Sequence, residues 1–332
     1  MMNYELFKGV VIEKFKDYLP PEYQDKELKV IEMEKVNRKV DGITFLKEVT
    51  DASIGPTIYI NDMYASYRRT DNLEETLKNA ARLFVRSVER DNEVASMVDF
   101  EHCQDKIVFQ LINTEQNKEM LAGVPHREFN DLSIVYRVMI KISDEGIYST
   151  QIHNAMAKSL GLSEEELFKL ASVNTPKLFP VTIKTMNEVM MEIFTKDGMP
   201  PEIAEMMVGA TPKDRIMYVI GNERNIYGAT SMLYTDSIQE LAEKMGSDLY
   251  ILPSSINEVL AVSADSFDPY ELADMVVDVN MNTVDLEERL SNQVYHYDKD
   301  LRKVSLATDT PNKRLDSIVA EKELFYDGEK SR

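Results

Sequence analysis

The stretch Leu132-Ser133-Ile134-Val135-Tyr136-Arg137-Val138-Met139-Ile140 constrains the fold more than any other segment. Its near-continuous apolar character marks a strand buried on both faces. Such a strand needs partners beside it and packed layers over it, which calls for sheets together with helices.

The rest of the chain supplies both. A helix is expected over Tyr4 to Leu19, its stripe made by Leu6, Val10, Val11, Phe15 and Tyr18 and its end set by Pro20-Pro21. Leu28 to Val36 and Ile43 to Val49 read as a hairpin turning near Asp41-Gly42, followed by a strand at Thr57 to Ile60. Asn72 with Glu75 three residues on signals a long helix with the buried stripe Leu73, Leu77, Ala80, Phe84 and Val88. A strand follows at Ile107 to Leu111.

Beyond Leu132, a short helix ends at Gly161, and Ser163 with Glu166 forms a capping box for the next helix, with Leu162 poised to staple onto Leu167. After the break Asn174-Thr175-Pro176 come a strand near Pro180 to Lys184 and a helix from Asn187 to Phe194. A strand spans Arg215 to Ile220, and a helix capped by Ser237 is stopped by Gly246. Strands at Leu249 to Leu252 and Val259 to Ser263 precede a helix opened by Asp268-Pro269, and the last strands are Gln293 to Tyr297 and Lys303 to Ala307. Hairpins are interspersed with helices rather than alternating strictly with them. The fold class is therefore α+β, with largely antiparallel sheets and packed helices in two mixed units. We expect units at residues 1–122 and 123–310, divided at Gly123-Val124-Pro125, and a weakly structured tail at 311–332.

Charge and cysteine content narrow the setting. Lys and Arg number 38 against 58 Asp and Glu, a net charge of −20 that repels nucleic-acid phosphate and anionic membrane. An acidic surface that imitates nucleic acid toward a basic partner is the sharper reading of the same number; an ordinary acidic cytosolic protein is the plainer one. The single cysteine, Cys103, excludes an intrachain disulfide and a four-cysteine zinc site. The start lacks the basic and apolar regions of a secretory signal, and no run of about 18 apolar residues exists. A cytoplasmic, non-membrane protein is expected.

Several segments in order resemble a bacterial protein family of uncharacterised function: Gly55 to Asp62 (GPTIYIND), Val124 to Phe129 (VPHREF), Asn174 to Pro180, Gly228 to Tyr234, and Gly246 to Ser255 with its GSDLYILPSS. The Gly161 to Leu167 segment is distantly similar to a second such family. The resemblance covers most of the chain and implies a globular intracellular protein, with no activity, cofactor or catalytic residue attached.

Nucleotide-binding glycine loops, the Gly-x-Ser-x-Gly elbow and the His-Glu-x-x-His helix are missing, so no cofactor is assigned. His126, Glu128 and Asp131 offer metal-ligand chemistry, but an extended chain puts only the first two on one face. The same geometry separates His102 from Cys103. Two binding candidates remain. Lys78, Arg82, Arg86 and Arg90 are spaced by four, making a basic stripe suited to an anionic ligand or acidic partner, unless Glu74, Glu75 and Glu89 neutralise it. Ser254, Ser255, Asn257 and Glu258 sit in a polar loop between two strands, where binding groups often lie.

The chain has 19 methionines and no tryptophan, with Met186, Met190, Met191, Met199, Met206 and Met207 on neighbouring helices. Methionine fills core gaps, and it also suits surfaces that re-pack on a partner. The leading expectation is a non-catalytic intracellular binding or regulatory protein engaging another protein. The alternative is a hydrolase or nuclease-like enzyme with a carboxylate site built from distant residues. A broad apolar patch rimmed by acids favours the first, and a cleft of converging carboxylates with a histidine the second.

Overall fold

The computed structural model describes residues 1–45, 57–97, 102–143, 146–253 and 255–308, with backbone only at 45, 89–97, 146 and 214. Contacts group the chain into two compact units: residues 1–100 with 140–147, and residues 101–139 with the rest from 148.

The first unit opens with α1 (Tyr4–Lys14), capped by the Asn3 side chain accepting from the Leu6 N–H. The buried stripe is Phe7, Val11 and Phe15, at spacing four, while Leu6 of the expected stripe is exposed. A 3-10 turn, Phe15–Tyr18, and the short α2 (Pro21–Gln24) follow, with Pro21 at the first helical position. Strands β1 (Leu28–Lys35) and β2 (Arg38–Phe45) pair antiparallel with Lys35 opposite Arg38. The turn is therefore Val36-Asn37, not Asp41-Gly42: Asn37 takes the left-handed conformation at φ 64°. Gly42 lies within β2 because space is short there. A Cβ would come within 2.5 Å of the Thr57 methyl and 3.1 Å of the Met33 sulfur.

Only Ile58–Tyr59 of the third strand is formed (β3), and Ile60 opens a helix absent from the sequence reading, α3 (Ile60–Thr70). Helix α4 (Leu73–Met97) is capped as expected, with the Asn72 side-chain oxygen Oδ1 accepting from the Glu75 N–H at 3.1 Å. Leu77, Ala80 and Phe84 are buried against Phe7, Phe15 and Tyr67 in one apolar cluster.

The second unit contains β4 (Ile107–Asn113), α5 (Lys118–Ala122), β5 (His126–Phe129), β6 (Leu132–Ser143) and β7 (Gly146–Gln151). Strand β6 is central, paired antiparallel to β4 and β5 and joined by β7, and the last residues of β6 and the first two of β7 group with the first unit. Its residues 132–139 are buried except Arg137, as expected of a strand covered on both faces. The expected boundary at 123–125 falls inside this unit, between the paired β4 and β6. Gly-Val-Pro there marks the exit from α5, where the Gly123 N–H donates to the Met120 carbonyl. The tail 311–332 lies outside the described residues.

Then come α6 (Asn154–Ser159), α7 (Glu164–Leu178), β8 (Val181–Thr185), α8 (Met186–Lys196), α9 (Pro201–Val208), β9 (Tyr218–Asn222) and α10 (Thr235–Met245). The chain ends in β10 (Leu249–Leu252), β11 (Val259–Ser263), α11 (Pro269–Asn282), β12 (Tyr295–Asp298) and β13 (Lys303–Leu306). The capping box at Ser163 and Glu166 is present, and Gly161 and Gly246 take positive φ where the preceding helices stop. Pro176 does not end α7. The helix carries it two residues from its end, with the Thr175 hydroxyl donating to the Ala171 carbonyl. Helix α10 starts at Thr235, ahead of the expected Ser237 cap.

Strands β8 to β13 form one antiparallel sheet in the order β13-β12-β10-β11-β9-β8. Its buried side chains Ile220, Ile251, Ala261 and Tyr295 meet Phe109, Leu111 and Tyr136 in the main core. The three sheets of the described residues are largely antiparallel and packed with helices, which is an α+β fold.

Candidate functional site

Local chemistry builds α8 and α9 into a helical hairpin. Thr185 and Glu188 form a capping box: the Thr185 hydroxyl accepts from the Glu188 N–H at 3.2 Å, and the Glu188 carboxylate accepts from the Thr185 N–H at 2.6 Å. That backbone donor holds the Glu188 carboxyl below the usual carboxylate range. Gly198, at φ 88°, follows the end of α8, and Pro201 starts α9 at its first position. The Asn187 amide donates to the Gly209 carbonyl at 3.3 Å and accepts from the Thr211 hydroxyl at 3.1 Å, tying the exit of α9 to α8. Lys184 pairs with Glu192 at 2.7 Å.

These polar contacts at its ends matter because the hairpin has little core. No residue of α8 is buried, and in α9 only Ala204 is. Ile193, Ile203, Met206 and Met207 are 51, 48, 80 and 62 % exposed. Ile203, Met206 and Met207 stand at i, i+3 and i+4, on one face of α9. Glu188, Glu192, Glu202 and Glu205 are exposed on the same two helices. The arrangement is an apolar surface edged by acids. Core packing is the plainer expectation for these methionines, but Met206 and Met207 face water, because spacing alone does not say whether a stripe faces a core or solvent.

The two expected binding sites come out differently. On α4, Lys78 is paired with Glu74 at 2.6 Å, whereas Arg82 and Arg86 are exposed and form no ion pair among the described residues. The Arg90 side chain and Ser254 lie outside the described residues. In the loop, the Ser255 hydroxyl accepts from the Asn257 N–H at 2.9 Å, and the Asn257 amide donates to Glu288 at 3.0 Å, so both hold the loop together. Glu258 remains, its carboxyl pushed up by burial and by the neighbouring Glu288 charge. More than a third of its surface nonetheless faces solvent, so the desolvation is partial.

Cys103 is buried. The Asp131 carboxylate accepts from the Ser291 hydroxyl at 2.6 Å and from the fully buried Tyr295 hydroxyl, while His126 and Glu128 sit along exposed positions of β5. Among the described residues no three His, Cys, Asp or Glu side chains converge as a metal site.

Two polar clusters were missed from the sequence. Arg127 donates to Glu164 at 2.8 and 3.1 Å and to Glu165 at 2.7 Å, over the Phe168 ring, and the Tyr136 hydroxyl donates to the same Glu164. Burial, then this carboxylate, pushes the Tyr136 hydroxyl pKa up. Arg137 donates to Ser149, Gln110 and Gln151, all neutral acceptors. A charge inside an otherwise apolar strand was the available signal for it. Both clusters tie strands to neighbouring elements.

Fold and surface together define an α+β protein that carries a methionine-rich helical hairpin turned to solvent. Residues 4–299 match the model of a family of unknown function, DUF5688, and the chain belongs to that family. Neither a curated protein nor a solved structure matches it. No described helix is long and apolar enough to cross a membrane.

Proposed function

We propose that the chain is a non-catalytic, cytoplasmic binding or regulatory protein that engages a protein partner through α8 and α9. The observation that carries this reading is the exposure of Ile193, Ile203, Met206 and Met207 on a hairpin with almost no core of its own. Exposed apolar patches rimmed by polar groups mark interaction surfaces. Flexible methionine side chains adapt to a partner's relief, and the acids at the edge select against acidic partners. The occupant with matching chemistry is a basic amphipathic helix, apolar on one face and cationic beside it. A chain of net charge −20 attracts such a segment at long range.

The test is titration of the full chain, labelled at its methionine methyls, with a synthetic helix of alternating Leu and Lys faces. Shifts confined to the methionines of α8 and α9, weakening with salt, are the expected result. Ile203→Ser with Met206→Ser and Met207→Ser should lower affinity at least tenfold. Absence of binding, or equal binding by the variant, would refute the assignment.

A hydrolase with a carboxylate site is the second reading, favoured by Glu258 lying near Glu288 with its proton affinity raised. Hydrolysis of bis-p-nitrophenyl phosphate or a p-nitrophenyl ester that Glu258→Gln abolishes would support it. Equal background rates for both proteins would remove it.

A further inference from the structure

Helices α3 and α4 with β3 line a cavity of about 250 Å³, open to solvent on one side, that involves neither α8 nor α9. Met63 and Phe84, both buried, are apolar lining, and Leu83 extends it outward, 59 % exposed. Ser66 and Asn79 also line it, and their side chains have no hydrogen-bond partner among the described residues. The acid in the lining, Asp62, pairs with Arg38 at 3.4 Å, so its charge is met.

Among the described residues none of the basic stripe lines this cavity, but Arg82 and Arg86 flank the edge of its lining formed by Asn79 and Leu83 on α4. Arg82 follows Asn79 by three residues and Arg86 follows Leu83 by three, so both guanidinium-bearing positions neighbour lining positions on α4. Both are exposed and form no ion pair among the described residues. An apolar pocket with a few polar groups and cations at its edge is the usual form of a small-molecule site. Its volume is below the roughly 300–1,000 Å³ of drug-sized pockets, which restricts the ligand to a short apolar body.

We propose that this cavity binds a small amphipathic organic anion, its apolar body against Met63, Leu83 and Phe84 and its carboxylate or phosphate toward Arg82 and Arg86. A guanidinium suits either end group.

The experiment is calorimetric titration of the full chain with octanoate, octyl phosphate and octanol, which share a tail and differ in the head. Both anions are expected to bind at least tenfold more tightly than octanol, and their ranking identifies the preferred head group. R82E/R86E should lose at least tenfold toward the anions and leave octanol unchanged; both sites are exposed, so folding is retained. S66F should fill the cavity and reduce binding of all three, and L83E, at an exposed position, replaces it if S66F fails to melt cooperatively. No binding to folded wild type, or anion binding unchanged in R82E/R86E, overturns the proposal.

Discussion

At the scale of single residues, Glu258 and Cys103 give the sharpest expectations. The folded state holds the Glu258 proton more tightly than the unfolded chain, whose carboxyl titrates near the ordinary value of 4.5. Its contribution to stability is therefore present at acid pH and is lost as pH rises through the raised folded value. Glu258→Gln removes that penalty. The variant should melt higher than wild type at pH 7, and the difference should vanish below about pH 4. Equal melting at both pH values would show that solvent relieves the crowding with Glu288. Cys103, 1 % exposed, should stay unreactive toward a thiol-specific disulfide reagent until denaturant unfolds the chain. Reductant should leave the melting temperature unchanged, since one cysteine cannot bridge within the chain. Rapid labelling of the native protein would contradict its burial.

At the scale of elements, caps and faces can be separated by mutation. Ser163→Ala removes the acceptor of the Glu166 N–H at the start of α7 and should cost about 1 kcal/mol, measurable by urea denaturation. Ile203→Ser, Met206→Ser and Met207→Ser remove side chains that face water and should change stability by less than about 0.5 kcal/mol each. A larger loss would mean that the hairpin packs more tightly than its exposure indicates.

The same elements show what was legible in the residues. Asn72, Ser163, Gly246 and Asp268 announced helix ends because capping is local chemistry. Strands β10 and β11 were read with their observed limits, since each is a short apolar run between turn residues. The turn at Val36-Asn37 was hidden because Asp-Gly five residues on is a stronger turn signal, and packing against Thr57 and Met33 overrode it. Helix α3 was missed because Ile58-Tyr59 pulled its start into a strand. For the sites, the basic stripe was visible as a spacing, while the cavity beside it joins β3, α3 and α4 and leaves no mark in any one segment.

At the scale of the whole molecule, the excess of 58 acidic over 38 basic residues governs behaviour that no single contact explains. Like charges repel in the folded state, and salt screens that repulsion over about 8–10 Å near physiological ionic strength. The melting temperature should rise as sodium chloride goes from about 10 mM to about 500 mM, over a range where surface ion pairs alone would predict a fall. Scanning calorimetry of the full chain checks the sign. A fall would show that pairs such as Lys184 with Glu192 outweigh the net repulsion.

Helices α8 and α9 bury Ala204 and no other side chain, which bears on how their residues change over generations. Positions that support a core are kept apolar by folding itself, so their persistence says nothing about binding. Ile193, Ile203, Met206 and Met207 are outside that protection, and drift toward polar residues would cost the fold little. If sequences across the family nevertheless keep these four positions apolar, selection is acting on something other than stability. If they scatter among Lys, Glu, Ser and Gln, the surface is one that mutation has been free to rewrite.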